Sequence, residues 1–199
     1  MSPRTPAAFQ RIKDERRVAI MTAALRVFAR NGLAATRIAD LAAEAHVSQG
    51  LLYHYFPNKE ALFTAIVEGA LRETAALTAG VLQMPGSAWE RLEVLCRRML
   101  EGVLENPDYP LVTLQVFTSE VVPEEVQAAV RSYGEQTFRD LIMLIQKGQQ
   151  EGRVVDGNAA ELATAFTAAI QGAALMRLLG GRSNPIPLRA ETFLRMLRA

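Results

Sequence analysis

Apolar side chains recur at helical spacing along nearly the whole chain, and no stretch alternates convincingly at the two-residue period of a strand. Ile20, Ala24, Val27 and Phe28, with Met21 and Leu25 beside them, mark a first amphipathic helix over about 11–30, which Asn31-Gly32 ends. Ile38, Leu41, Ala42 and Ala45 mark a second, opening at Thr36 or Arg37. Ser48 is a good N-cap, because its hydroxyl can accept from the free N–H groups of the next turn. Pro57 disfavours helical geometry at the residue before it, so the third helix spans only about 48–56. Two turns are too few to be stable alone. Asn58 caps a fourth helix that runs to 80–82, and the stretch 84–87 breaks it. Further helices are expected over 88–104, 111–120, 123–151, 159–179 and 188–198, with a loop at 152–158. The fold class predicted is all-α.

The short third helix has an unusual outer face. Leu52 and Phe56 are four apart and can face the core, which leaves Gln49, Gly50, Tyr53, His54 and Tyr55 on or near the outside. Hydroxyls and imidazole reach phosphates, glutamine pairs with adenine edges, and glycine lets backbone approach closely. A second reading, in which the rings are core with wet hydroxyls, stays open on these residues alone. Two helices joined by three or four residues, the second capped by serine, form the helix-turn-helix arrangement, whose second helix enters the DNA major groove.

The stretch AIMTAALRVFARNGLAATRIADLAAEAHVSQGLLYHYFPNKEALF, roughly Arg16 to Phe63, resembles the TetR family of bacterial transcriptional regulators. The LYHYF core, the NKEAL start of the next helix and the NGLAAT link all fall at that family's spacing. The resemblance implies an N-terminal helix-turn-helix DNA-binding domain, a larger C-terminal helical domain for ligand binding and dimerisation, and a homodimer. It assigns 1–13 to a flexible basic arm, 14–74 to the DNA-binding domain with its motif at 37–56, and 75–199 to the effector-binding and dimerisation domain. Carried over position by position, Gln49, Gly50 and His54 contact bases, and Arg37, Ser48, Tyr53, Tyr55 and Lys59 contact phosphates. Two residues depart from the pattern. His46 stands where the turn usually has glycine, so a left-handed backbone there is mildly strained. Arg37 replaces a usual Ser or Thr, keeping a phosphate donor on a longer arm.

Charge sharpens the picture. Residues 1–59 hold nine Lys/Arg against four acids, and the remainder holds thirteen against seventeen, so a chain of net charge +1 is basic in its first third. A polyanion partner is expected to meet that part. No segment approaches the roughly 18 uncharged apolar residues of a membrane span, and the run after Arg17 is interrupted by Arg26 and Arg30 at helical period, unlike a signal peptide. A cytoplasmic protein without a membrane partner is the expectation. The single cysteine, Cys96, excludes an internal disulfide and a cysteine-based zinc site.

Catalysis finds little support. The only histidines, His46 and His54, lie in the helix-turn-helix, and no nucleophile elbow, phosphate loop or zinc-protease motif is present. No catalytic residue, metal or cofactor is assigned. An effector pocket between the middle helices is expected to use Trp89, Met99, Phe117, Phe138, Met143, Phe166 and Met176, with Cys96, Thr113, Gln115 and Gln171 as polar anchors. The same residues also describe an ordinary helical core. The run 159–179 is apolar nearly all round and must be covered on more than one side. Together with 188–197 it is assigned to the homodimer interface, through Phe166, Ile170, Ala173, Ala174, Phe193 and Leu197. The alternative is a helix buried within its own subunit. The function expected is a ligand-responsive repressor that binds a pseudo-palindromic double-stranded operator and is released by a small lipophilic effector. A regulator without such an effector, acting as an activator or under protein control, and an enzyme with a similar N-terminus are the competing readings.

Overall fold

The computed structural model describes residues 6–118, 122–179 and 187–199. Its helices are α1 (Pro6–Ala35), α2 (Ile38–Glu44), α3 (Gln49–Tyr55), α4 (Lys59–Leu82), α5 (Ala88–Glu105), α6 (Tyr109–Thr118), α7 (Glu124–Ala129), α8 (Glu135–Gln150), α9 (Ala159–Leu179) and α10 (Ala190–Leu194). A π-helical turn, Val130–Gly134, joins α7 to α8. No strand occurs among the described residues, in keeping with an all-α chain of two helical units.

The first unit packs α1, α2, α3 and the start of α4 around Ile20, Phe28, Leu41, Leu52, Leu62 and Phe63. Phe28 and Phe63 meet edge to face, with ring centroids 5.2 Å apart. Each such buried side chain contributes about 1.5–3 kcal/mol, which is how a seven-residue helix like α3 persists despite its own instability. Glycine at position 32 (φ 74°) breaks the helical path of α1, and the Thr36 hydroxyl donates to the Gly32 carbonyl at 2.6 Å. The arm expected over 1–13 is helical from Pro6 onward; residues 1–5 lie outside the described residues.

The second unit is built on Leu92, Leu95, Cys96, Leu144, Ile145, Phe166 and Leu197, contributed by α5, α8, α9 and the chain end. Ser87 and Glu90 form a reciprocal cap at the start of α5: the Glu90 backbone N–H donates to Ser87 Oγ at 3.2 Å and the Ser87 N–H to the Glu90 carboxylate at 2.8 Å. Backbone hydrogen bonding and the serine hydroxyl hold the Glu90 carboxyl below its usual range. The final helix is shorter than expected. Val155 N–H donates to Leu197 O, and Ala199 N–H to Arg153 O, so the chain end pairs with the loop 152–158 instead of continuing as helix. Gly148 permits this, since a Cβ there would lie 2.5 Å from Val154. α6 begins at Tyr109 rather than 111, and its expected end at 120 lies outside the described residues.

The helix α9 corrects the dimer assignment. Phe166, Ile170, Ala174 and Leu197 are buried in their own subunit's core, Phe193 packs against that core half-buried, and Ala173 is half-buried. An alanine-rich helix offers two apolar faces, and the bulkier one is used internally. The exposed face consists of Glu161, Thr164, Ala165, Ala168, Gln171, Gly172 and Met176. By length and composition alone, 10–35 and 159–177 are apolar enough to cross a membrane, contrary to expectation. Both are helices of the packed units, the first with Ile20, Ala24 and Phe28 buried and the second with Phe166 and Ile170 buried.

Candidate nucleic-acid interface

Local chemistry builds the reading head. At the end of α2, Val47 N–H donates to Ala42 O and His46 N–H to Ala43 O, the paired bonds that close a helix through a left-handed residue. His46 is that residue, with φ 52°. Ser48 then caps α3, its hydroxyl oxygen accepting from Leu51 N–H at 3.1 Å. Phe56 leaves the helix in extended geometry (φ −140°), as the proline after it requires. Asn58 caps α4, accepting from Ala61 N–H at 2.7 Å.

The outer face of α3 is as polar as its spacing predicts. Gln49, Gly50, Tyr53 and His54 are exposed, Tyr53 to 51%, while Leu52 is fully buried. Ser48 is exposed at the leading end, and Arg37 is exposed at the start of α2, where its backbone N–H is held by the Asp40 carboxylate at 3.2 Å. The guanidinium of Arg37 pairs with no acid among the described residues. Tyr55 differs from expectation: it is half-buried, its ring packed against the first core and edge-on to His54 at 5.4 Å.

Lys59 corrects the phosphate set. Its ammonium donates to the carbonyls of Leu33 (2.9 Å), Ala34 (3.0 Å) and Thr36 (2.9 Å). All three protons are spent on carbonyls at the end of α1 and in the link that follows it, where intrahelical partners run out. The side chain is a cap across 23 to 26 residues of sequence, a target that local spacing does not reveal.

Two features escaped the sequence reading. The Arg17 guanidinium lies over the Phe56 ring, 4.8 Å from its centroid, and so ties α1 to the end of the reading helix. Arg26 and Arg30 both bind Glu44, at 3.2 and 2.9 Å, clamping α1 to α2. The Arg30 hydrogen bond is the largest influence on the Glu44 carboxyl; desolvation opposes it, and the Arg30 charge with the hydrogen bond and charge of Arg26 brings the net shift below the usual range. These two arginines are thereby withdrawn from the basic surface.

The expected effector lining does not come together as one cavity. Phe117 is 68% exposed, Phe138 is at the surface, and Thr113 donates to the Tyr109 carbonyl on its own helix. Cys96 and Phe166 are fully buried in the second core, with Met99 and Trp89 packed against it. Burial, and secondarily the charge of Glu191, pushes the Cys96 thiol up to about 12. A cavity of about 150 Å³ lies elsewhere, between the two units, lined by 31–35, Phe63, Gln115 and Val122. Among the described residues no group of His, Cys, Asp and Glu is arranged to hold a metal ion.

Residues 20–66 match the family described as bacterial regulatory proteins, tetR family. The chain is 26% identical over 148 residues to the HTH-type transcriptional regulator BetI of Rhizobium meliloti, covering 73% of each. Its fold is shared with a Saccharomonospora viridis structure solved in complex with choline (TM-score 0.67, 26% identity, 92% of this chain and 93% of that one). It is shared also with the transcriptional regulator FadR of Bacillus subtilis in complex with stearoyl-CoA (TM-score 0.71, 17% identity, 90% and 96%).

Proposed function

Because the chain belongs to the TetR family of bacterial transcriptional regulators, we propose that it represses transcription as a cytoplasmic homodimer on a pseudo-palindromic operator and is released by a small lipophilic effector. The observation that carries this reading is the face of α3: Gln49, Gly50, Tyr53 and His54 stand exposed beside Ser48 and Arg37, with Leu52 anchoring the helix beneath. Each subunit lays α3 in one major groove, and the two copies read half-sites about 34–36 Å or a multiple apart. Gln49, Gly50 and His54 meet base edges. Arg37, Ser48, Tyr53 and Tyr55 hold phosphates. The chain is not an enzyme.

The dimer forms through the outward face of α9, where Ala165, Ala168 and Gly172 allow close helix approach and Met176, 56% exposed, is covered. Effector binding shifts α4, which has buried residues in both cores, from Leu62 and Phe63 to Val81. The separation of the two reading heads changes with it. Coupling of this kind is reciprocal, so operator weakens effector by the factor with which effector weakens operator.

Fluorescence anisotropy on a labelled duplex tests the core of the proposal. Salt-dependent binding is expected, with Gln49→Ala relaxing base preference; a chain that ignores duplex DNA, or sediments as a monomer, would overturn it. One observation favours a second reading, namely that Cys96 and Phe166 are fully packed and Phe117 and Phe138 face outward. On that reading the protein is a regulator without a small-molecule effector, an activator or one under protein control. A thermal-shift screen separates the two, since an effector that binds the folded state raises the melting temperature as its concentration exceeds Kd.

A further inference from the structure

Among the described side chains of α1 the first buried one is Ile20, and those before it, 10–19, are exposed. From Gln10 to Ala19 about 15 Å of helix therefore projects from the domain with its side chains exposed. Apart from Arg17, which lies over the Phe56 ring, these side chains are not held by packing against the domain, and their surface chemistry is open to a partner.

Charge on this projection is sorted by face. At 100° per residue, Lys13, Arg16 and Arg17 fall within about 100° of one another. They occupy the side that continues into the domain as Ile20, Ala23, Ala24 and Val27. Arg11, Asp14 and Glu15 take the opposite half, where Arg11 and Glu15 pair at 3.5 Å and Gln10 donates to Asp14 at 2.9 Å. Lys13 and Arg16 pair with no acid among the described residues. The cation of Arg17 over the Phe56 ring fixes where the basic side looks: toward the C-terminal end of α3.

We infer that the N-terminal projection of α1 is a second DNA-contacting element, its Lys13, Arg16 and Arg17 face gripping the phosphates that flank the groove occupied by α3. The inference rests on the DNA-binding reading above and extends it to a surface outside the helix-turn-helix. The contact positions the reading head without specifying bases, because these cations meet a backbone that is the same at every sequence. Arg17 plays the linking part, its guanidinium over Phe56 and one nitrogen donating to Met21 Sδ at 3.3 Å.

The test uses the full chain and an operator or generic duplex, with binding measured across a range of NaCl concentrations. Lys13→Gln combined with Arg16→Gln removes four cations per dimer and is expected to flatten the log–log salt slope by about three to four units, with base preference unchanged. Arg11→Gln, on the opposite face, is expected to leave the slope alone. Hydroxyl-radical footprinting should show sugars at the outer edge of each half-site protected by wild type and exposed in the double variant. An unaltered slope in the double variant, or an equal drop in Arg11→Gln, would overturn the inference while leaving α3 as the reading helix. A wild-type chain with no salt-dependent duplex binding overturns the DNA reading itself, and this inference with it.

Discussion

Gln115 Nε2 donates to the Phe28 carbonyl at 2.9 Å, joining α6 to the last regular turns of α1. Its Oε1 is buried with no partner among the described residues, and it lines the cavity shared with 31–35 and Phe63. One amide thus makes one bond and leaves one oxygen unsatisfied at the junction of the two units. Replacing it with leucine removes both, and the two effects oppose each other.

Gln115→Leu should therefore change unfolding free energy by no more than about 1 kcal/mol, while amide exchange across Gly32 to Thr36 becomes faster. Gln115→Glu puts a carboxylate beside helix-terminal carbonyls and should cost about 2 kcal/mol or more at pH 7. Urea unfolding and hydrogen exchange of the two variants decide the matter; equal losses would mean that shape alone governs this junction.

Lys59 should behave as a structural cation. Lys59→Met removes the donor to two carbonyls of α1 and to that of Thr36 and is expected to cost roughly 2–3 kcal/mol, read as a lower urea midpoint, with little effect on the salt dependence of DNA binding. A stable variant whose salt slope drops instead would restore the phosphate role.

Acid sensitivity follows from Glu44. Its carboxyl is held below 4.5 in the folded state by Arg30 and Arg26, so the folded state binds its proton less readily than the unfolded chain. The clamp is fully present above pH 4.5 and is lost as pH falls through the depressed folded value. Thermal melts of wild type should decline over that acid range, and Glu44→Gln, already lacking the clamp, should decline less. Parallel profiles would show that the clamp contributes nothing to stability.

His46 carries a positive φ that only glycine adopts freely. His46→Gly should stabilise the first unit by about 0.5–1 kcal/mol, measured by thermal melting, without altering base preference. A loss of stability would mean that the imidazole makes a contribution larger than the strain it carries.

The Cys96 thiol, raised to about 12 by burial, stays protonated at neutral pH. A disulfide reagent at pH 8 should label it only at the rate of unfolding. Fast labelling of the native chain would reveal an opening of the second core, and with it room for an effector.

Much of this molecule was legible from neighbouring residues alone. Ser48 and Asn58 cap the helices expected of them, His46 takes the left-handed turn, Pro57 ends α3, and Leu52 lies beneath an exposed Gln49 and Tyr53. Each depends on backbone geometry within about four positions, which spacing encodes. The effector residues were not legible, because an apolar side chain reads alike whether it lines a cavity, as none of Cys96, Phe166 and Phe117 does, or fills a core.

By itself, then, the chain's pattern determined the helices, their caps and the reading face of α3, since these are set by contacts a turn apart. Only the tertiary structure decided that Lys59 serves α1, that Gln115 spans two units and that Phe166 and Ile170 turn inward rather than toward a second copy. Those choices depend on where distant segments meet. An alanine-rich helix, apolar on every side, carries no local instruction about which side is covered by its own subunit.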